Sequence, residues 1–436
     1  MKVYKFGGTS VGTAQRMQRI VEIIRQEKKV FVVLSAMSGT TDTLSAIGQN
    51  IRTGKKEDAL TILHSLQNNY QQTLTDLFTS TDEIAEAYVG KSFEKITNLI
   101  HEPYDPFAEK MLIAIGEQLS TFLFYRLLTV QKFNATLLDS TTLIHLDKEG
   151  EPVIHHIRQQ INESLKGHPG SQIYIAQGFI CSDYTGNISN LGRGGSDYSA
   201  SLFGAALEAE EIQIWTDIDG VQNNDPRFVD QTQPIRQLHF DEAAELAYFG
   251  AKILHPLCVL PAQNAGIPVL LKNTLQPADP GTRISAAGQG RGFKAVAARD
   301  HITAIRIKSS RMLMAYGFLR KVFEIFEEFK TPIDMITTSE VAVSITIDDN
   351  RHLEEIVEHL KKYGHVEVAG NKTIVGVVGL VDADDPGYAM RLFGALSDIP
   401  IRMISYGASA HNVSFLINTE DKIRTLKALH NGLFQL

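Results

Sequence analysis

Apolar positions along this chain fall into two alternating registers. Lys2-Val3-Tyr4 alternates with period two and reads as a strand, whereas Met17, Ile20, Val21 and Ile24 share one helical face. Apolar runs at 30–34, 135–138, 172–176, 212–216 and 267–271 are rich in β-branched residues and several lack a polar side, as in strands buried on both faces. With the helical stretches between them, they predict an α/β fold: a mainly parallel sheet sandwiched by helices. Residues 50–108 are polar and helical in pattern and form an excursion over that sheet. A stretch rich in Gly, Pro and Ala over 276–292 reads as a linker.

Beyond residue 300 the plan changes and then repeats. Gly317-Phe318-Leu319 opens a helix, Pro332-Ile333-Asp334-Met335-Ile336 and 341–347 read as strands, and a second helix covers 352–362. About 70 residues on, Gly387, Pro400-Ile401-Arg402-Met403-Ile404, 413–417 and 422–433 follow the same order, with Val413-Ser414-Phe415 matching Val343-Ser344-Ile345. This is a duplicated βαββαβ unit. The expected domains are 1–292, a module over 300–370 and a module over 371–436, the two modules side by side. The C-terminal segment is a candidate to complete the first module.

Composition removes several function classes. The 436 residues are 43% hydrophobic and 21% charged, which excludes a disordered chain. A formal charge of −8 without a basic stripe argues against nucleic acid as partner. No uninterrupted apolar run approaches the ~18 residues of a membrane span, and no signal-peptide pattern fits. Cys181 and Cys258 lie in unrelated contexts, as buried free thiols of a reducing cytoplasm do. The 14 histidines show no metal-ligand spacing, so a metal is expected only with a nucleotide.

The candidate chemistry sits at turns. Lys5-Phe6-Gly7-Gly8-Thr9-Ser10 joins a strand to a helix, the geometry that offers backbone N–H groups to a phosphate. It is not a Walker sequence, because its lysine precedes the glycines. Ser35 to Asp42 places hydroxyls at a strand end, with Thr41 or Asp42 suited to cap the next helix. Within a long helical stretch, Gly116 beside Glu117 opens room for a ligand. Gly192-Arg193-Gly194-Gly195-Ser196-Asp197 bares another helix start beside an arginine able to clamp a carboxylate. Trp215-Thr216-Asp217, Asp225-Pro226-Arg227 and the run from Phe249 through Lys252 to Pro256 add further polar turns. Lys5, Arg193, Arg227 and Lys252 are expected to converge on one sheet edge, where four cations suit a nucleotide triphosphate.

Taken in order, these segments resemble the motif series of the aspartate kinases, in the amino acid kinase superfamily. Ile336-Thr337-Thr338-Ser339-Glu340-Val341 and Ser405-Tyr406-Gly407-Ala408-Ser409 resemble the paired ACT regulatory modules of those enzymes, in form closest to the monofunctional, lysine-sensitive class. The resemblance implies an amino acid kinase fold followed by two ferredoxin-like ACT modules, with L-aspartate and ATP as substrates and Mg²⁺ bound with the nucleotide. It implies that Lys5, Gly7, Gly8 and Thr9 hold phosphate and that Asp197 lies beside the phosphoryl site. Ser35, Thr41, Glu117, Arg193, Gly194, Gly195 and Ser196 would contact aspartate. Thr216, Asp217, Gln222, Arg227, Lys252 and Ile253 would line the nucleotide site, although Gln222 stands where relatives commonly carry tyrosine. Met312, Phe318, Leu319, Asp334, Thr338, Ser339 and Glu340 would form a lysine pocket, and a homodimer or pair of dimers would assemble through the modules. Ala315 and Pro332 depart from the polar residues of that class. Kinases of glutamate, acetylglutamate or uridine monophosphate, and a catalytically silent amino-acid sensor, are the competing readings.

Overall fold

The structure is a computed structural model that describes all residues except 193, 250–255, 288–289, 310–315, 382–385 and 435–436. The chain forms two compact units. The first comprises Met1–Val221, Arg236–Phe240 and Ile253–Gly288, and the second Gln222–Ile235, Asp241–Lys252 and Gln289–Leu436.

The first unit is built on an eight-stranded sheet. Its strands are β1 (Lys2–Phe6), β2 (Val30–Leu34), β3 (Ala135–Leu137), β4 (Ile173–Gln177), β5 (Ile212–Thr216), β6 (Gln237–Leu238), β7 (Val269–Asn273) and β8 (Thr282–Ile284). They lie in the order β6-β8-β7-β5-β1-β2-β4-β3, and every pairing is parallel except β7 with β8. All five residues of β2 and of β4 are buried, as their unbroken apolar runs require. Alternate residues serve opposite faces. Val30, Val32 and Leu34 join the cluster formed with α1 (Ala14–Ile24), α2 (Thr40–Arg52), α3 (Lys56–Leu77), α4 (Glu83–His101) and α5 (Pro106–Val130). Phe31 faces the other way and meets Phe203 of α6 (Gly195–Leu207) at 4.9 Å between rings.

Local chemistry sets the helix starts. Thr13, Asp82 and Asp105 accept backbone N–H bonds at the beginnings of α1, α4 and α5, and Pro106 fits the first turn of α5. At 25 residues α5 is long and apolar enough to cross a membrane by length and composition, yet 67% of its most apolar window is buried inside the protein. It is a core helix.

The expected linker holds structure. Thr282 and Ile284 are buried in β8, which pairs antiparallel with β7. Gly281 makes this approach possible: its φ is 69°, and a Cβ there would meet the Leu271 carbonyl at 1.9 Å.

The second unit is a six-stranded antiparallel sheet. Its strands are β9 (Gly292–Lys308), β10 (Ile336–Thr338), β11 (Ala342–Ile347), β12 (His365–Leu380), β13 (Met403–Ser405) and β14 (Asn412–Asn418), in the order β10-β11-β9-β12-β14-β13. Long β9 and β12 form its spine, and the register shifts around Ile302, next to His301 at φ 65°. One core packs Ile305, Ile307, Val343 and Ile345 under α9 (Phe318–Glu328) and α10 (Leu353–Leu360). The other packs Val296, Val375, Val413 and Phe415 under α11 (Tyr388–Ala395) and α12 (Lys422–Phe434).

The duplication is therefore real, and Val343 and Val413 occupy equivalent strands. Module completion differs from expectation. The C-terminal segment, as α12, covers the second module, and the fourth strand of that module is the first half of β9, from before the first module. Two segments of the expected catalytic stretch 1–292 also fold with this unit. Asn223 accepts from Val296 N–H at 2.9 Å, Asn224 donates to the Leu426 carbonyl at 3.1 Å, and Val229 is buried in the second core.

Candidate active site

The strands β1, β2, β4, β5 and β7 run in the same direction and carry the predicted loops at their C-terminal ends. β1 lies between β2 and β5, so the chain departs from it in opposite directions, which opens a crevice where ligands bind such sheets.

Tyr4 and Phe6 join the cluster on the face of α1 and α5, which sends Lys5 to the face of α6. There its ammonium lies 2.6 Å from Asp197 Oδ1, in the first turn of α6, with side-chain exposures of 11% and 15%. The glycine turn follows directly. Gly7 N–H donates to the Trp215 carbonyl at 3.3 Å, and Ser10 Oγ meets Thr274 Oγ1 at 2.7 Å, which fastens the turn to the ends of β5 and β7. A Cβ on Gly8 would sit 3.0 Å from the Ala36 carbonyl, so the loops after β1 and β2 touch through backbone. Thr9 offers its carbonyl to Arg16.

Ser35 is fixed from both sides: its N–H donates to Phe6 O at 3.2 Å and its carbonyl accepts from Ser120 Oγ at 2.7 Å. Gly39, with φ 79°, rather than Thr41 or Asp42, is the cap of α2. The left-handed turn needs glycine, and Thr41 falls inside the helix, partly exposed. Gly116 also differs from expectation. A Cβ there would lie 3.1 Å from Ala36 and 3.2 Å from Thr40, so this glycine admits α2 and its preceding loop, not a ligand.

Glu117 is 3% exposed, and its Oε2 has no hydrogen-bond partner. Burial pushes its carboxyl up to about 8, against the pull of the Ala36 N–H that donates to it. A buried carboxyl with an unfilled oxygen, mostly protonated at neutral pH, is a receptor for a cation that favours its ionised form.

At the start of α6, Gly194 (φ 74°) is the cap, and Gly195, Ser196 and Asp197 form the first turn, so the helix presents its N-terminus. Cys258 Sγ, in α8 (Pro256–Asn264), lies 3.2 Å from the Gly194 carbonyl; α7 (Phe240–Tyr248) precedes it in the chain. Thr216 and Asp217 end β5, with Thr216 Oγ1 donating to Asp217 at 3.2 Å.

Of the four cations expected to converge, Lys5 is the one that the described residues of this unit include. Arg193, Lys252 and Ile253 lie outside the described residues. Gln222 and Arg227 belong to the second unit, where Arg227 forms a two-pronged ion pair with Asp225 at 2.5 Å, formed because the two side chains flank one turn. Of the residues expected to bind an effector, Met312 is also outside the described set. Phe318 is buried in the core and meets Tyr363 edge to face. Leu319 packs partly against that core, and Thr338, Ser339 and Glu340 are exposed at the β10–β11 turn. The Asp334 side chain is 3% exposed and already engaged: Tyr248 Oη donates to it and Arg299 lies 3.7 Å away.

Two residues escape sequence reading. Phe179 adopts φ 68°, a strained state for an aromatic residue, and would meet a Cβ on Gly195 at 2.7 Å. Gly178 was detectable as a glycine at a strand end: a Cβ there would lie 2.6 Å from Ser196 Cβ. Replacing Gly178 by alanine is expected to cost about 1–3 kcal/mol by overpacking. The displaced Ser196 should raise the KM for the acceptor, and a melting curve with a KM determination checks both. A cleft of about 710 Å³ lined by Tyr4, Gln213, Trp215 and Lys272 contains none of the predicted site residues.

Comparison with known proteins places the chain in a family. Residues 1–273 match the amino acid kinase family, and residues 375–433 match an ACT domain. Lysine-sensitive aspartokinase 3 of Escherichia coli K12 is 34% identical over 99% of both chains. The crystal structure of E. coli aspartokinase III with aspartate and ADP, its R-state, superposes with TM-score 0.88 at 34% identity, covering all of both chains. The same enzyme with lysine and aspartate, its T-state, gives TM-score 0.78 at 33% identity, covering 100% of this chain and 99% of the other.

Proposed function

This chain belongs to the aspartokinases of the amino acid kinase family, and from that premise we propose that it transfers the γ-phosphoryl group of ATP to the side-chain carboxylate of L-aspartate, giving 4-phospho-L-aspartate and ADP. The observation that carries the reading is Lys5, buried at the strand end beside Asp197 and the start of α6.

The acceptor carboxylate has an ordinary pKa of about 3.9 and is ionised at neutral pH. No general base is needed. The obstacle is repulsion between two anions, so catalysis consists of alignment and charge neutralisation. Lys5 and the backbone N–H groups of Gly8 and Thr9 neutralise the moving phosphoryl group, while Gly7, whose N–H is given to the Trp215 carbonyl, shapes the turn. Asp197 holds the Lys5 ammonium in place until phosphate competes for it. Glu117 receives the α-ammonium of aspartate, Arg193 grips its α-carboxylate, and Ser35, Thr41 and the Gly194–Ser196 turn orient the side chain. Thr216 and Asp217, at the end of β5, serve the nucleotide.

Mg²⁺ suits this donor set only in company with the nucleotide. It prefers oxygen ligands and keeps several waters. Asp197 is committed to Lys5, so phosphate oxygens would supply most of the coordination and the exposed Asp217 carboxylate the chain's share. When bound, Mg²⁺ withdraws charge from the phosphates.

The catalytic region is taken as 1–292, followed by ACT modules that feed back on it, with lysine as effector. Ile336 and Ile404, each 37% exposed on the two edge strands of the second unit, support assembly into a homodimer or a pair of dimers. The free, buried Cys181 and Cys258 fit a reducing cytoplasm. A silent sensor has no use for the buried Lys5–Asp197 pair. ADP release with aspartate, glutamate, acetylglutamate and uridine monophosphate, each with and without lysine or threonine, tests the reading. Turnover is expected with aspartate alone and is expected to fall with lysine. Turnover with another acceptor, or with none, overturns it.

A further inference from the structure

The cleft of about 710 Å³ over β1, β5 and β7 lies within the first unit, and the proposed phosphoryl transfer makes no use of it. Its volume is that of a small-molecule site. Phe6, Trp215 and Lys272 are paired across the three strands and share one face, opposite to that of Lys5. Trp215 is the chain's single tryptophan. It is 4% exposed, stacks on Phe6 with ring centroids 5.8 Å apart, and has the Lys272 ammonium 5.7 Å from the centre of its ring.

Polar groups at the floor of this cleft are incomplete. Trp215 Nε1 and, two residues earlier on the same face, Gln213 Oε1 are buried without a hydrogen-bond partner among the described residues. The first is a donor that needs an acceptor, and the second an acceptor that needs a donor. Lys272 donates to the Asp279 backbone carbonyl, not to its carboxylate. Two other carboxylates whose charge reaches Lys272 are engaged: Glu211 accepts from Gln213 Nε2 at 2.6 Å, and Asp219 pairs with Arg236 at 3.1 Å. Burial outweighs their pull and holds Lys272 below the ordinary lysine value. At the rim, exposed Arg19 donates to the Leu275 carbonyl at 3.3 Å. Glu27 is taken by Lys2 at 3.0 Å and by Tyr4 Oη at 2.6 Å, which leaves exposed Glu22 as the remaining acid of the lining. The balance at Lys272 and Arg19 favours an anion.

We propose that this cleft binds a nucleoside monophosphate, its base against Trp215 and Gln213 and its phosphate on Lys272 and Arg19. A nucleobase carries an acceptor and a donor on one edge, which answers Trp215 Nε1 and Gln213 Oε1 together. Its flat ring suits the indole face once Lys272 turns from the ring to the phosphate. A free amino acid would leave most of the volume empty. Occupancy reaches the active site through one residue, because the Trp215 carbonyl accepts Gly7 N–H at 3.3 Å and Ser10 Oγ at 3.5 Å. A ligand that fixes Trp215 also fixes the glycine turn, so this ligand and the nucleotide at the turn favour each other. The binding itself does not depend on which acceptor is phosphorylated.

The test uses the full chain saturated with ADP and adenosine monophosphate as probe, read by calorimetry and by the fluorescence of the single tryptophan. One equivalent is expected to bind saturably. Adenosine and inorganic phosphate, each with half of the recognition, should bind roughly tenfold or more weakly. Lys272→Met keeps the stem and removes the charge. It is expected to weaken the monophosphate roughly tenfold while ADP affinity, measured alone, moves less than about twofold. Arg19→Gln, on the exposed side of α1, should weaken it severalfold and keeps the test open if the Lys272 variant fails to fold. Bound monophosphate should tighten ADP about fivefold, and ADP should tighten the monophosphate by the same factor. Absence of binding, equal binding by adenosine or phosphate alone, undiminished binding in both variants, or outright competition with ADP overturns the proposal. Unchanged ADP affinity overturns the link to the glycine turn. Turnover with aspartate in the absence of the monophosphate decides the catalytic reading separately.

Discussion

Lys5→Ala is expected to lower kcat by roughly 10²–10³-fold while the KM for aspartate changes by less than about threefold. Lys5 lies at the end of β1, between a glycine turn and the first turn of α6, and is held by Asp197 at 2.6 Å. In the function proposed above, Glu117 and Arg193, not Lys5, hold the α-amino and α-carboxyl groups of the acceptor. The charge of Lys5 matters most when the phosphoryl group is in flight and negative charge is spread over its equatorial oxygens. Loss of the charge therefore falls on the transition state. Because the pair is mostly buried, removing one partner also leaves Asp197 uncompensated, at a cost of about 3–5 kcal/mol. Kinetics are read below the variant's melting temperature, and Lys5→Arg, which restores the charge, separates folding from chemistry. Equal losses in kcat and in aspartate affinity would contradict the assignment.

Glu117→Gln should produce an opposite pair of effects. The KM for aspartate is expected to rise roughly tenfold to a hundredfold, the worth of a buried hydrogen bond to a charged group. Without ligand, the variant should be the more stable protein. Burial raises the Glu117 carboxyl from 4.5 to about 8, so the folded state binds a proton that the unfolded state has released. Stability is thus lost as pH rises from about 4.5 to about 8, by an amount on the order of 5 kcal/mol when complete. Glutamine carries no such penalty. Its melting temperature should exceed that of the parent at pH 8, with the gap closing toward pH 5. Saturating aspartate should narrow the gap at pH 8, because its ammonium compensates the parent's carboxylate. Coincident melting curves at pH 8 would remove Glu117 from the binding site.

Both expectations depend on neighbours supplied from far along the chain, and the sequence disclosed them unevenly. Lys5, Gly7 and Gly8 were legible because a strand, a glycine turn and a helical stripe are consecutive. Glu117 was legible only as one carboxylate in a long helix. Its burial and its proximity to Ala36 come from packing α5 against the loop after β2. The same packing reassigns Gly116 from ligand access to helix contact. Asp334 resembled an effector ligand, but its engagement by Tyr248 joins residues 86 positions apart.

The sequence by itself determined the parallel sheet, its strands at 30–34 and 212–216, the glycine turn between β1 and α1, and the duplication that aligns Val343 with Val413. Each is written in local periodicity or in repetition, which a chain carries whatever its neighbours are. Only the tertiary structure decided that β8 occupies the expected linker and that the first half of β9 completes the second module. It also decided that α7 folds with the regulatory unit and that Gly39 caps α2. These depend on which distant backbone pairs with which and on how closely two surfaces approach. A one-residue change of register would redirect every side chain while leaving the local pattern intact.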